Sequence, residues 1–283
     1  MNRKLRISVT LFSAIWALAI PAAAQTSAAQ QEHFVRNFAL NPGGTLAVEN
    51  YKGTIHVTGV QGNQVVVTVD KKFEGTNSDR KWWMANTQVN FDNDANRVRV
   101  GVEYPSCSWN CDDHSNYTGM VELTIQVPRH TNLEIQGYKP DVKLAAIDGD
   151  IRLKSYKSPI DIEGTTGGVH IDTYKESVRL HDVNIRGSLH LEMQKGEALI
   201  EAKSLGEEAS IKIEKGTVVL RVPSDARLSV DYSGGRRSDF RSDLPIASEA
   251  GFRSGEVRGT INGGGTRLHL RTEKASFSIE GRS

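Results

Sequence analysis

The sequence predicts an all-β chain built as a β-solenoid (β-helix-like) stack of short coils, roughly 18–22 residues each. Three observations carry that expectation. A strand word, Leu133-x-Ile135-x-x-Tyr138-Lys139-x-x-Val142-x-Leu144, returns as Ile151-x-Leu153-x-x-Tyr156-Lys157-x-x-Ile160-x-Ile162. It returns again as Val169-x-Ile171-x-x-Tyr174-Lys175-x-x-Val178-x-Leu180, and self-similarity at a short period means stacked units. The apolar positions of each copy alternate with other residues, a period that puts them on one side of a strand. Glycine is frequent, at 26 of 283 residues, and the apolar runs are short and β-branched, with few stretches of helical periodicity.

Residues 1–24 read as an export signal outside the fold. Arg3, Lys4 and Arg6 form a basic start, Ile7 to Ile20 an apolar stretch, and Pro21-Ala22-Ala23-Ala24 a small-residue cleavage site. An uncleaved anchor is the rival reading. No cysteine follows for lipid attachment, and Phe277 to Ser283 offers no hydrophobic tail. The expected mature chain, 25–283, is one soluble exported domain without a transmembrane segment, in the periplasm, at the surface or secreted. The full chain carries 35 basic and 34 acidic residues. Removing three basic ones leaves 32 against 34, a net charge of −2. That balance lacks the clustered positive field of a nucleic-acid binder.

An early copy of the word runs Leu46-x-Val48-x-x-Tyr51-Lys52-x-x-Ile55-x-Val57. Looser copies start at Leu189 with Gln194-Lys195, at Ile211 (one residue short) with Glu214-Lys215, and at Leu268 with Glu273-Lys274. Successive starts from 133 then lie 18, 18, 20 and 22 residues apart. Corners fall at Gly137 to Asp141, Ser155 to Pro159 and Thr173 to Ser177, where Pro159 takes no ladder hydrogen bond away. Val60, Ile147 and Val183 supply a further inward position, so each coil has about three short sides. One coil exposes two faces and cannot stand alone; neighbours must cover them.

The stretch 71–120 breaks the period and reads as a non-repeat insertion. It holds a helix start at Asn77-Ser78-Asp79 before Trp82-Trp83. Strands follow at Gln88 to Phe91 and Arg97 to Tyr104, around the turn Asp92 to Asn96. Val121 to Pro128 leads back into the coils. The Gly- and Arg-rich segment 233–258 reads as a flexible excursion before the last unit.

In Phe34 and Phe38 ahead of Asn41-Pro42-Gly43-Gly44-Thr45-Leu46-x-Val48, in Val127-Pro128, and in Gly259-Thr260-Ile261-Asn262-Gly263-Gly264-Gly265, the chain resembles the bacterial exported "putative adhesin" family. Those proteins carry a domain of unknown function. The likeness spans most of the mature chain through short, degenerate motifs. It departs at the corner, where Lys157-Ser158-Pro159-Ile160 and Lys215-Gly216-Thr217-Val218 replace the family's Ser/Asn-Gly-Asp-Ile. The resemblance implies a β-solenoid-like fold and an envelope or surface location, and no established reaction.

Cys107 and Cys111 share one loop and are expected to form a disulfide in an exported chain. A metal site with Asp112, Asp113 and His114 is the rival, without the paired Cys-x-x-Cys clusters of structural zinc. His170, His190 and His269 share the second, outward place of their units, and stacking would bring His170 near His190. A metal would need a third ligand that the sequence does not name. Asp148, Asp150, Asp161 and Glu163 are acids of the kind that cleave glycosides, but turn chemistry around Gly149 also explains the first two. No nucleophile-and-base pattern has a recognisable setting, so no enzyme and no cofactor are expected. Of Trp82 and Trp83, one ring is expected to close the stack, with an exposed sugar platform as the alternative.

The candidate binding stripe is Tyr51, Lys52, Tyr138, Lys139, Tyr156, Lys157, Tyr174 and Lys175. Stacked coils would place the rings about 4.8 Å apart, where aromatic contacts alone stabilise the column. Inward positions vary among Val, Ile and Leu while Tyr-Lys repeats unchanged, and packing does not call for Lys there. The expected function is a non-enzymatic envelope or surface scaffold with an adhesin-like role, its partner a cell-wall or extracellular glycan or an envelope protein. The alternative is a polysaccharide hydrolase or lyase on a β-helix, an argument from scaffold alone. The ligand, the envelope layer and the oligomeric state are not written in the sequence.

Overall fold

The computed structural model describes residues 32–74, 76–105, 119–248 and 255–282. The export segment and the Cys107–Cys111 pair lie outside the described residues. The chain opens on β1 (Glu32–Ala39), β2 (Thr45–Val60) and β3 (Gln64–Lys72), then helix α1 (Asn77–Asn86). β4 (Gln88–Asn93), β5 (Arg97–Glu103) and β6 (Met120–Pro128) follow. The middle is β7 (Asn132–Ala145), β8 (Ile151–Lys157), β9 (Ile160–Glu163), β10 (Thr166–Ser204) and β11 (Glu208–Pro223). The chain finishes with β12 (Leu228–Gly234), β13 (Asp239–Ser242), β14 (Ala247–Ser248), β15 (Glu256–Ile261) and β16 (Thr266–Arg282).

Alternation builds the core. In the copies starting at Leu133, Ile151 and Val169, all four apolar places of the strand word are at most 2% exposed. The coils pair in parallel with like place on like place: Leu133 on Ile151, Ile151 on Val169, and Val142 on Ile160. The third side is short and held by backbone bonds between coils, from Asp148 N–H to Arg129 O, Thr166 N–H to Ile147 O and Asn184 N–H to Thr165 O. Ile147 and Val183 point into the core there.

One phase differs from the sequence reading. Leu189 pairs with Ala209, and Ala209 with Leu268. The sixth coil therefore begins at Ala209 rather than Ile211 and is not a residue short. It reads Ala209-x-Ile211-x-x-Glu214-Lys215-x-x-Val218-x-Leu220, and the start-to-start distance from 189 is 20, not 22. Ala209 is fully buried; its methyl group is too small to mark the place by hydrophobicity.

Both ends of the stack run out of sequence order. β2 pairs on one side with β7 and on the other with β5 and β6. The stretch 71–120, aperiodic in sequence, thus returns Val98 and Val100 to the layer beneath Leu46 and Val48. Antiparallel β4 covers β5, while β3 and then β1 cover β6. At the other end β16 slots between β11 and β12, with β13 beside it and antiparallel β15 and β14 outside β12. Antiparallel strands close a parallel stack whose edges would otherwise offer unpaired backbone groups.

The helix α1 is capped one residue earlier than expected, by Thr76, whose Oγ1 accepts from the Asp79 N–H at 3.3 Å. It delivers Trp83, 1% exposed, against Phe73 and Tyr104 at ring separations of 5.6 and 6.2 Å. Gly119 lets the indole in: a Cβ there would lie 2.2 Å from the ring. Trp83 closes the N-terminal end, and Trp82 is only partly buried against the same core.

Candidate functional site

The corner of each coil follows from strand alternation. After Leu133 and Ile135 the fifth place still turns inward, and the column it forms is Asn50, Gly137, Ser155 and Thr173 at one end of the stack. Asn50 is fully buried and donates to Val121 O at 2.9 Å, while Ser155 Oγ donates to Thr173 Oγ1 at 3.0 Å. The sixth and seventh places then lie on the outside of the bend. They are the tyrosine and the lysine.

The four tyrosines form one column. Tyr51 and Tyr138, Tyr138 and Tyr156, and Tyr156 and Tyr174 stack with centroids 4.9, 4.8 and 4.5 Å apart and planes within 9° of parallel. Stacking at strand spacing follows from the coil rise. It also means that the ring faces cover one another, so edges and hydroxyls meet solvent. The end rings, Tyr51 and Tyr174, are the most exposed.

A fifth tyrosine founds the column. Tyr104 meets Tyr51 edge-on at 6.1 Å, and its hydroxyl lies 2.8 Å from Asn50 Oδ1, 2.6 Å from Lys52 O and 3.2 Å from the Val121 N–H that it accepts. Burial pushes the Tyr104 phenol well above its ordinary pKa, against the smaller opposing pull of the backbone contacts. It is a neutral structural group that ties the β5 end to the β2 and β6 corners. A groove of about 630 Å³ runs beside the column, lined by Asn50, Tyr51, Tyr104, Tyr138, Lys154 and Tyr156 among others.

The lysines continue where the tyrosines stop. Lys52 pairs with Lys139, Lys157 with Lys175, Lys195 with Lys215, and Lys215 with Lys274. Beyond Tyr174 the ring place is taken by Gln194, Glu214 and Glu273. Lys139 and Lys157 carry their ammonium groups 5.4 and 5.3 Å from the centroids of Tyr138 and Tyr156, within cation–π range. Among the described residues Lys139, Lys157, Lys195, Lys215 and Lys274 have no carboxylate within 4.0 Å, whereas Lys175 approaches Glu176 at 4.0 Å. Burial, and then the neighbouring Lys139 charge, lower the pKa of Lys52. The register thus sets one lysine per coil in a single row.

The other residues singled out by sequence separate clearly. Asp150 accepts the Gly168 N–H at 2.8 Å, and Asp148 bridges to Thr166 and faces Arg129 at 3.8 Å. These are turn and ladder contacts. His170 and His190 stack at 4.3 Å, and Asp172, which sequence reasoning did not name, lies between their ring nitrogens. It stands two places along the strand from His170, on the same outward face, which strand periodicity could have shown. His269 is apart from that pair and faces Asp231 at 3.7 Å. Cys107 and Cys111 are outside the described residues, and no helix among the described residues is long and apolar enough to cross a membrane.

Three solved structures resemble the chain. One is described as a "putative cell adhesion protein" from Clostridium sporogenes, with 8% identity, covering 89% of this chain and 100% of its own, at a TM-score of 0.38. A "putative adhesin" from Bacteroides fragilis shares 12% identity over 90% of this chain and 99% of its own, at 0.37. A "putative adhesin" from Parabacteroides merdae shares 8% over 88% and 96%, at 0.26. Likeness at these scores carries no argument about what this chain does. No curated protein matches it. A family model does match, from residue 43 to residue 280, across every coil described above: the chain belongs to the Toastrack DUF4097 family.

Proposed function

We propose that the protein is a non-enzymatic, exported scaffold of the cell envelope or surface whose Tyr–Lys corner binds an acidic glycan. The observation that carries this reading is the lysine row, one ammonium per coil, in which, among the described residues, Lys139, Lys157, Lys195, Lys215 and Lys274 have no carboxylate within 4.0 Å. Like charges in register oppose folding, so packing does not account for them. A polymer with one carboxylate per sugar would present its charges at a repeat close to the coil rise. The rings contribute edges and hydroxyls along the groove rather than platforms beneath sugar faces, since the faces are stacked on each other. Support for the scaffold side of the reading comes from family membership and from the turn and ladder contacts that account for two of the four candidate acids, Asp148 and Asp150.

The test is a Lys139→Gln, Lys157→Gln, Lys175→Gln triple variant. Circular dichroism should be unchanged, while binding to an anionic cell-wall polymer falls about tenfold or more. Three exposed ion pairs at about 0.5 kcal/mol each amount to that factor. Unchanged binding in a folded variant would show that the row is structural only.

A further inference from the structure

We propose that His170, Asp172 and His190 form a binding site for a divalent transition metal ion of the zinc type. This inference is independent of the glycan reading. His170 and Asp172 project from the same outward face of one strand, and His190 comes from the next coil with its ring parallel to that of His170 within 17°. The carboxylate divides between them: Oδ2 lies 3.4 Å from His170 Nε2, and Oδ1 lies 3.7 Å from His190 Nε2. The ligand atoms of all three residues fall within 4.8 Å of one another.

Those separations suit a shared ion: the His170–Asp172 contact is only a long hydrogen bond, at 3.4 Å, and the His190–Asp172 contact is longer still. An N–H···O hydrogen bond runs at about 2.7–3.2 Å, and both contacts are longer. Two donors held about 2.0–2.1 Å from one tetrahedral ion sit roughly 3.4 Å apart. Two imidazoles and one carboxylate suit zinc, copper or nickel rather than calcium or magnesium, which take all-oxygen sets.

The surroundings fit an open site. The side chains of His170, Asp172 and His190 are 45, 35 and 32% exposed, which leaves room for water on the fourth position. Lys154 approaches Asp172 Oδ2 at 3.9 Å and is the competing cation. Glu192 adds negative charge beside both imidazoles, although Lys212 at 2.7 Å pairs with it first. The net ligand charge of −1 favours a dication over a second ammonium.

The experiment uses the untagged full chain, stripped with chelator at neutral pH and titrated with Zn²⁺ by calorimetry. The expected result is one ion per chain, with binding at least tenfold weaker in Asp172→Ala and in His190→Ala. Cys107→Ser/Cys111→Ser should leave this binding unchanged, which separates the site from the cysteine loop. In the unaltered chain, Zn²⁺ should shift the imidazole proton NMR signals of two histidines. No heat with the unaltered chain, undiminished binding in both site variants, or shifts in no histidine would overturn the proposal.

Discussion

At the scale of single residues, the corner column shows what the stack demands. Gly53, Gly196 and Gly216 hold φ of 109°, 144° and 134°. A Cβ at these places would lie 2.1, 2.0 and 1.8 Å from a carbonyl oxygen of the neighbouring coil. Glu176 occupies the same column with φ of 109° and a side chain. A non-glycine residue there stores about 1–3 kcal/mol of strain, partly offset by the added freedom that glycine brings to the unfolded chain. Glu176→Gly should therefore raise stability by about 1 kcal/mol in urea unfolding, whereas Gly216→Ala should lower it by about 2 kcal/mol or more. A loss of stability in Glu176→Gly would contradict the strain argument. Legibility at this scale was uneven. Buried places such as Ile160 and Leu153 stand out by period, but Ala209 does not, and Asp172 gains meaning only once a second coil brings His190 over it.

At the scale of elements, the register of β2 on β7 sets Lys52 against Lys139. The folded-state pKa of Lys52 is lowered, by burial first and Lys139 second. Below the ordinary lysine value of 10.5 the unfolded chain therefore holds its proton more firmly than the folded one. Stability then rises with pH as the window between the folded and unfolded values is crossed. Lys52→Gln should be at least as stable as the unaltered chain at pH 7, and its advantage should shrink as pH approaches 10.5. Urea midpoints for both chains at a series of pH values check this; an advantage that grows with pH would contradict it. The individual coils were readable because strand alternation is local. The stacking of successive coils from Leu133 onward was readable too, but the order at the two ends was not, because there the parallel partners come from distant segments. β5 and β16 reach their layers only through the excursions that the sequence presents as aperiodic.

At the scale of the whole molecule, the out-of-order ends turn a tandem repeat into a closed stack. The N-terminal end is plugged by Trp83 and covered by antiparallel strands, and the last unit of the sequence is locked inside by β12 and β13. Between these ends the lysine row runs from Lys52 to Lys274 over six coil steps, about 29 Å at strand spacing. That continuity converts a repeated dipeptide into a line of charge, on which the proposed glycan binding rests. The most direct measurement is the affinity of the protein for acidic oligosaccharides of increasing length at fixed salt. Affinity should rise with each added sugar and level off once the chain spans the row, with the steps flattened in the triple Lys→Gln variant. An affinity independent of length, or a length dependence that survives the triple variant, would contradict the account.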